Sequence, residues 1–208
     1  MKIKVAVMFG GKSVEHEVSV ISALQAIANM DKDKYDIIPV YITKQNEMYI
    51  GEDIGNIDAY KNIDNLLKNS QRVIMVNDAG QVKLISYPMK LFKKPVEINI
   101  DVAFPIVHGT NVEDGTLQGY LKTLGIPFVG CDVTASALGM DKYYMKAVLK
   151  DCGIPVLDCL VFTTSDYKNI DKIIEYIEKN FSYPVIVKPV NLGSSVGIKM
   201  ANDRNELI

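Results

Sequence analysis

Length, composition and charge exclude several classes of protein. The chain has 208 residues, 48% of them hydrophobic, so it can form one large domain or two small ones. Its 23 Lys and Arg against 25 Asp and Glu give a net charge of −2. Nucleic acids and anionic membranes are bound through clustered basic residues, and because the chain has no such cluster we expect neither as a partner. No apolar run approaches the roughly 18 residues of a membrane span, and the first one lacks a signal-peptide cleavage site, so we expect a cytoplasmic protein.

The first 131 residues alternate buried strands with helices. The run 3–9 is continuously apolar and stops at Gly10 and Gly11, which is typical of a strand buried on both faces of a parallel sheet. Ser13 is a candidate cap for the helix that follows. Further strands are predicted at 36–43, 48–50, 72–76, 82–85, 100–105 and 126–129, and further helices at 58–68 and 116–124. The alternation predicts an α/β domain over 1–131, built on an open, mostly parallel sheet.

The pattern changes over residues 132–208. The elements predicted there, in order, are helices at 134–140 and 141–151, a strand at 157–162, a helix from about 165 to 180, and two strands on either side of the loop 191–197. This order predicts an α+β domain. Asp203 and Glu206 have the spacing of a capping box, but the helix that they would start at Arg204 has only one turn. We therefore expect the second domain to be incomplete.

The three cysteines indicate neither a disulfide nor a zinc site. Cys131, Cys152 and Cys159 form no CxxC pair, are odd in number and lie in apolar stretches. We therefore expect them to be buried as part of the core.

Several residues near the glycines are candidates for a binding site. Gly10 and Gly11, followed by Lys and Ser, match neither the Walker A motif nor GxGxxG, so they predict either a ligand at the edge of the sheet or a plain tight turn. Glu15 is either an acceptor for an ammonium group or a surface acid of the first helical turn. We expect its neighbour His16 to face solvent. His108 follows a buried strand and is either a site residue or a structural hydrogen-bonding partner.

The loop 191–197, with the sequence NLGSSVG and called the small-residue loop below, is a candidate phosphate-binding loop. Its consecutive small residues allow backbone N–H groups to close over phosphate oxygens. Lys188 lies in a predicted apolar strand, and a buried ammonium group needs an anion such as an ATP phosphate. Lys142 has the context of an ordinary exposed helix lysine.

Taken together, these stretches resemble the D-alanine–D-alanine ligases of the ATP-grasp superfamily over essentially the whole chain. The motifs that carry the resemblance, in the family's order and spacing, are GGKSVEHEVS at 10–19, HGTNVEDGTLQG at 108–119, IPFVGCDVTASALGMDK at 126–142 and VIVKPVNLGSSVG at 185–197. The resemblance implies a Rossmann-like substrate-binding domain over 1–131 and the start of the central ATP-grasp domain over 132–208. The length of segment 51–97 is similar to that of the long-form branch.

The resemblance also implies roles for residues that bind the first D-alanine. Glu15 would hold its ammonium group, and Val18 would line the pocket for its methyl group. His108 would lie near its carboxylate and near the tetrahedral intermediate. Ser194 would hydrogen-bond with Glu15, and the resemblance therefore implies Glu15, His108 and Ser194 as catalytic residues.

For the nucleotide, the resemblance implies contacts from both lysines and from the small-residue loop. Lys142 and Lys188 would contact the ATP phosphates. The backbone of Gly193, Ser194 and Ser195 would cover the γ-phosphate. ATP and Mg²⁺ are the implied cofactors, but the family's metal ligands lie C-terminal to this region, so no metal ligand is expected within the chain.

The activity implied by the resemblance is ATP-dependent joining of two D-alanines through an acyl phosphate, for peptidoglycan synthesis, cell wall biogenesis and cell shape. The implied assembly is a homodimer, and we expect the 208-residue chain alone to be inactive. Ligases that join D-alanine to D-serine or D-lactate are the alternative within the family. A stand-alone, non-catalytic nucleotide-binding or dimerisation module is the alternative outside it. A nicotinamide oxidoreductase is opposed by the failed GxGxxG, and a biotin-carboxylase-like enzyme by the EHEVS and HG…EDGTLQG runs.

Overall fold

The computed structural model describes residues 1–89 and 95–208, which divide into two compact units, Met1–Ala137 and Leu138–Ile208. The domain boundary expected after residue 131 stays a prediction. Part of segment 51–97, whose length resembles the long-form ligases, lies outside the described residues. Among the helices that are described, none is long and apolar enough to cross a membrane.

The first unit contains a sheet with helices packed against it. Its strands are β1 (Ile3–Gly10), β2 (Tyr35–Ile42), β3 (Met48–Ile50), β4 (Gln71–Asp78), β5 (Gln81–Ser86), β6 (Glu97–Asn99) and β7 (Val102–Pro105), and the helices along this part of the chain are α1 (His16–Asn29), α2 (Ile63–Asn69), α3 (Thr116–Leu124) and α4 (Val133–Met140).

The strands form one seven-stranded sheet in the order β6-β5-β4-β3-β2-β1-β7. β1 pairs in parallel with β2 and β7, whereas the other pairings among the described strands are antiparallel. The predicted α/β class is confirmed, but the sheet is mixed rather than mostly parallel. The reason is local, because strands joined by short turns, such as β4 and β5, can pair only in the antiparallel sense.

The core lies on both faces of β1. Successive strand residues point to opposite faces, so Met8 belongs to one buried cluster and Val7 and Phe9 to another. The first cluster also contains Leu121 of α3, and the second contains Ala23 of α1. The prediction of a strand buried on both faces is therefore confirmed, and it brings the two helices to opposite sides of the sheet.

Several element predictions hold, and others are wrong. The strand at 48–50 and the helix at 116–124 are confirmed as β3 and α3. The helix predicted at 58–68 is divided, because the side chain of Asn62 accepts a hydrogen bond from the backbone N–H of Asn65 and starts α2 there. The strand predicted at 126–129 is reduced to a single bridge through Phe128. The three cysteines are all exposed, so their predicted burial is wrong.

The second unit also contains helices and a small sheet. The α-helices and strands that lie wholly within it are α5 (Lys142–Asp151), α6 (Ile170–Asn180), β8 (Val185–Val187), β9 (Lys199–Ala201) and α7 (Arg204–Leu207). β8 and β9 pair in the antiparallel sense, as predicted for the strands around the loop. The strand predicted at 157–162 is wrong, because no described strand pairs with this segment and it is irregular. Asp203 caps α7, and Glu206 accepts a bond from the backbone of Asn202.

Candidate functional site

The turn between β1 and α1 requires its two glycines. Gly10 and Gly11 have φ angles of +93° and +90°, a region that side-chain-bearing residues rarely adopt. A Cβ on Gly10 would lie 2.3 Å from the carbonyl oxygen of Ile42, and one on Gly11 would lie 2.4 Å from Cγ1 of Val112. The turn therefore brings the start of α1 against the end of β2 and against the loop that contains Val112.

Ser19, which the sequence analysis did not single out, fixes this turn from inside. Its side chain is fully buried. Its Oγ accepts a 2.8 Å hydrogen bond from the N–H of Gly10 and donates a 2.6 Å bond to the carbonyl of Ile106. A serine on the buried face of α1, beside Val20 and Ala23, is the signal in the sequence that could have identified it.

His16 is buried, so the prediction that it faces solvent is wrong. It is 4% exposed, and its Nδ1 lies 2.7 Å from the carbonyl oxygen of Gly11. Its Nε2 lies 2.9 Å from the hydroxyl of Tyr41. Since a carbonyl only accepts, we assign the ring proton to Nδ1, and Nε2 accepts the bond from Tyr41. Burial raises the pKa of Tyr41 to about 12, which keeps its hydroxyl a donor.

The structure brings Glu15 close to the loop that carries His108. Gly109 has a φ angle of +85°, and a Cβ on it would lie 2.7 Å from Oε2 of Glu15 and 2.2 Å from Oγ of Ser13. Only a glycine can approach so closely. The neighbouring His108 is half-buried, and its Nε2 lies 3.2 Å from Oγ of Ser22 on α1. A carboxylate and an imidazole from two distant sequence motifs therefore lie along the start of one helix.

Ser13 forms a hydrogen bond just before α1, and Val18 is an exposed residue of its first turn. Ser13 does not cap α1 as predicted, because the helix begins at His16 and the Ser13 Oγ accepts from the backbone N–H of Glu15. The side chain of Val18 is 49% exposed. That exposure is compatible with a wall of a substrate pocket, and the role of Val18 stays a prediction.

The loop after His108 is held by its own polar groups. The carboxylate of Asp114 accepts bonds from the backbone N–H groups of Asn111, at 2.7 Å, and Thr116, at 3.1 Å. Burial raises the pKa of Asp114, but bonds from Thr116 and Asn111 outweigh it and hold the pKa below its ordinary value. The side-chain amide of Asn111 also donates to the carbonyl of Lys12, at 3.0 Å. The loop is thereby attached to the glycine turn.

In the second unit, Lys142 differs from the ordinary exposed lysine that its context predicts. Asp141 caps α5 through two 2.9 Å bonds from backbone N–H groups, which makes Lys142 the first residue of the helix. The half-buried Lys142 ammonium group donates to the carbonyl of Val190, at 3.3 Å, and to that of Leu192. It therefore contacts the residue just before the loop 191–197 and the second residue of that loop.

The small-residue loop has an unusual backbone. Ser194 and Ser195 have φ angles of +48° and +59°, two left-handed residues in succession. The N–H of Val196 donates to the carbonyl of Gly193, at 3.0 Å, and a further turn follows at Ser195. A Cβ on Gly197 would lie 2.7 Å from Pro189, so the end of the loop returns to its beginning.

Lys188 directly follows β8 and is exposed, so the argument that its ammonium group is buried is wrong. Its position one residue before Pro189 keeps it at the entrance of the loop. Within the described ranges, 1–89 and 95–208, no group of three or more His, Cys, Asp and Glu side chains could hold a metal ion. These residues therefore do not by themselves fit the Mg²⁺ site that the resemblance implies.

Comparison with known proteins gives one family for both units. Residues 4–131 match the family model described as the D-ala D-ala ligase N-terminus, and residues 148–208 match the D-ala D-ala ligase C-terminus. A D-alanine–D-alanine ligase of Acetivibrio thermocellus is 42% identical over 214 residues, covering 99% of this chain and 57% of that protein. The chain thus spans little more than half the length of this relative.

The similar solved structures include ligases of the same family. The VanG D-Ala:D-Ser ligase from Enterococcus faecalis has a TM-score of 0.77 at 37% identity, covering 100% of this chain and 57% of its own. A D-alanine–D-alanine ligase from Bacillus anthracis complexed with ATP has a TM-score of 0.60 at 28% identity, with 100% and 51% coverage. These likenesses confirm the expected fold, an α/β domain followed by part of an ATP-grasp domain.

Proposed function

The chain belongs to the D-alanine–D-alanine ligase family, and we propose on that basis that its protein joins two D-alanines into D-alanyl-D-alanine at the expense of ATP. The observation that carries the proposal is the close approach of Glu15 to Gly109, beside His108. The product would serve peptidoglycan synthesis in the cytoplasm, and with it cell wall biogenesis and cell shape. The active form would be a homodimer of the complete protein, and the 208-residue chain alone would be inactive.

The first-substrate site suits a small zwitterion. The carboxylate of Glu15 can accept hydrogen bonds from an ammonium group, and an imidazole N–H of His108 can donate to a carboxylate. The bond between His108 and Ser22 supports this orientation because it leaves the other ring nitrogen for the substrate. The exposed methyl groups of Val18 would face the methyl group of D-alanine. The predicted bond between Ser194 and Glu15 belongs to this proposal.

The nucleotide site suits phosphate groups. Lys142 and Lys188 supply two ammonium groups near the loop 191–197, and ammonium groups are common phosphate ligands in proteins. The backbone N–H groups of Gly193, Ser194 and Ser195 would close over the γ-phosphate, where a larger side chain would obstruct the approach. The solved ligase complexed with ATP supports ATP as the phosphoryl donor.

The chemistry explains the need for these groups. A carboxylate oxygen of the first D-alanine attacks the γ-phosphorus of ATP, ADP leaves, and an acyl phosphate forms. The amine of the second D-alanine then attacks the acyl carbon, the C–N bond forms, and phosphate leaves as the amine loses a proton. Negative charge accumulates on phosphoryl and acyl oxygens in both steps, so lysines and backbone N–H groups can lower the barriers when water is excluded. No step is assigned to Mg²⁺, because the described residues do not fit its site.

Two alternatives to D-alanine remain for the second substrate. The likeness to the VanG D-Ala:D-Ser ligase supports D-serine as the second substrate, with D-lactate as the other candidate that the sequence analysis left open. Incubation of the complete protein with ATP, D-alanine and an equal concentration of D-serine or D-lactate, followed by mass spectrometry of the products, distinguishes the three. We expect D-alanyl-D-alanine to predominate.

The assignment of Glu15 is tested by E15Q with E17Q as its control, in the complete protein. Both substitutions remove one charge at the start of α1. Glu17, however, is exposed and forms its 2.6 Å ion pair with Lys44 rather than with the site. Loss of one charge-assisted hydrogen bond, about 1.5–3 kcal/mol, corresponds to roughly a 10- to 100-fold lower kcat/KM for the first D-alanine in E15Q. We expect E17Q to stay within about twofold. Equal effects of the two variants would contradict the role of Glu15.

A further inference from the structure

Lys142 makes three hydrogen bonds to one short segment of the chain. Its backbone N–H donates to the carbonyl of Val190, at 3.2 Å. Its side-chain ammonium group donates to the same carbonyl, at 3.3 Å, and to the carbonyl of Leu192. The first residue of α5 is thereby bonded, through both its main chain and its side chain, to the residue before the small-residue loop and to Leu192 at its start.

The helix itself gives no reason for a lysine at this position. The first turn of a helix carries partial positive charge, so an ammonium group there is unfavourable for the helix. Asp141 already caps α5 through two backbone N–H groups. The backbone bond of Lys142 to Val190 satisfies a donor of the first helical turn, whereas the bonds of its ammonium group to Val190 and Leu192 serve the loop rather than the helix.

The loop needs an external restraint. Two successive left-handed residues, Ser194 and Ser195, are each less favourable than an ordinary backbone conformation, and such positions persist only where the surroundings hold them. Within the loop, the N–H groups of Val196 and Ile198 donate to the carbonyls of Gly193 and Ser195, at 3.0 and 3.2 Å. These turns start one residue after the segment bonded by Lys142.

We propose that Lys142 is the positioning residue that holds the small-residue loop in its turned conformation in the protein without nucleotide. The inference deepens the proposed function, because the same ammonium group would contact a phosphate when ATP binds. An ammonium group has three N–H donors, and carbonyls at 190 and 192 accept two of them. The third is left for water or for a phosphate oxygen. The loop is thereby shaped by the group that would bind the nucleotide.

Hydrogen exchange of the complete protein without nucleotide tests the proposal. In K142M, the amides of Val196 and Ile198 are expected to exchange about tenfold faster or more, the factor that corresponds to losing one charge-assisted hydrogen bond. The amides of α6 are expected to keep their wild-type rates. K142R, which retains the charge and donors, is expected to restore part of the protection.

K146M is the matched control. Lys146 lies one turn further along α5, and its ammonium group donates to the carbonyl of Leu157, at 2.8 Å, so its loss is expected to leave Val196 and Ile198 unchanged. Wild-type rates at these two amides in K142M would overturn the proposal, and so would an equal rise in α6. Because no nucleotide is present, the proposed ligase activity is not tested here. If the complete protein lacked ligase activity but exchange at Val196 and Ile198 still depended on Lys142, the proposed function would fail and this inference would hold.

Discussion

Replacement of Ser19 by Ala is expected to destabilise the first unit strongly. The change removes the Oγ that joins the N–H of Gly10 to the carbonyl of Ile106, through bonds of 2.8 and 2.6 Å in a fully buried position. A buried backbone group left without a partner costs about 1–3 kcal/mol. Because the carbonyl of Ile106 is only partly buried, the free energy of unfolding of this unit should fall by roughly 2–5 kcal/mol. That is a large part of the stability of an ordinary domain.

The assay is native-state hydrogen exchange at the amides of β1, because their opening reports on the first unit alone. The control is Ser22→Ala on the same helix. Ser22 is half-buried and lies 3.2 Å from the His108 ring, so its loss should cost less than about 1 kcal/mol. If Ser19→Ala changed the stability of β1 by no more than Ser22→Ala, Ser19 would not hold the turn and the loop together.

Three further predictions concern the same unit. Gly109→Ala should destabilise it by at least about 1–2 kcal/mol in urea unfolding, because its φ angle of +85° disfavours a Cβ that would also displace Glu15; an unchanged midpoint would contradict this. Tyr41→Phe removes the partner of Nε2 of buried His16 and should cost about 1–3 kcal/mol, whereas wild-type stability would show that this hydrogen bond does not stabilise the unit. Asp114→Asn should lose stability at neutral pH. The pKa of Asp114 is lowered in the folded protein, so its carboxylate stabilises the fold fully above its ordinary pKa, and this stabilisation is lost as the pH falls through the folded-state pKa. The difference in unfolding free energy between wild type and variant should therefore become smaller in acid, and a difference that does not change with pH would contradict this.

The regular part of the fold could be predicted because its signals are local. A continuous apolar run gave β1, and the αL glycine at Gly125 ended α3 where predicted. The strand predicted at 157–162 failed because a strand also needs a partner, which an apolar stretch does not reveal. The mixed sheet arises from the short connection between β4 and β5, and the exposure of Cys159 follows from the irregular path of its segment.

The candidate site could be predicted in part. Motif resemblance selected Glu15 and His108, and the geometry now explains how Glu15 comes close to the loop that carries His108, since a glycine at position 109 leaves room for the Glu15 carboxylate. Ser19 and the buried partner of His16, Tyr41, could not be found in this way. The buried face of α1 indicates only that Ser19 is buried, because its role depends on which backbone groups need a hydrogen bond after folding. The role of Tyr41 depends on the burial of His16, which the sequence did not predict.

The most direct test of the ligase assignment is a product assay on the complete protein encoded by the reading frame that contains these 208 residues. It is incubated with ATP, magnesium and D-alanine, and ADP, phosphate and peptide are measured by mass spectrometry and coupled assay. We predict equal amounts of ADP, phosphate and D-alanyl-D-alanine, formed only when D-alanine is present and strongly reduced in E15Q. Formation of ADP without any dipeptide, or a rate that does not depend on D-alanine, would contradict the assignment.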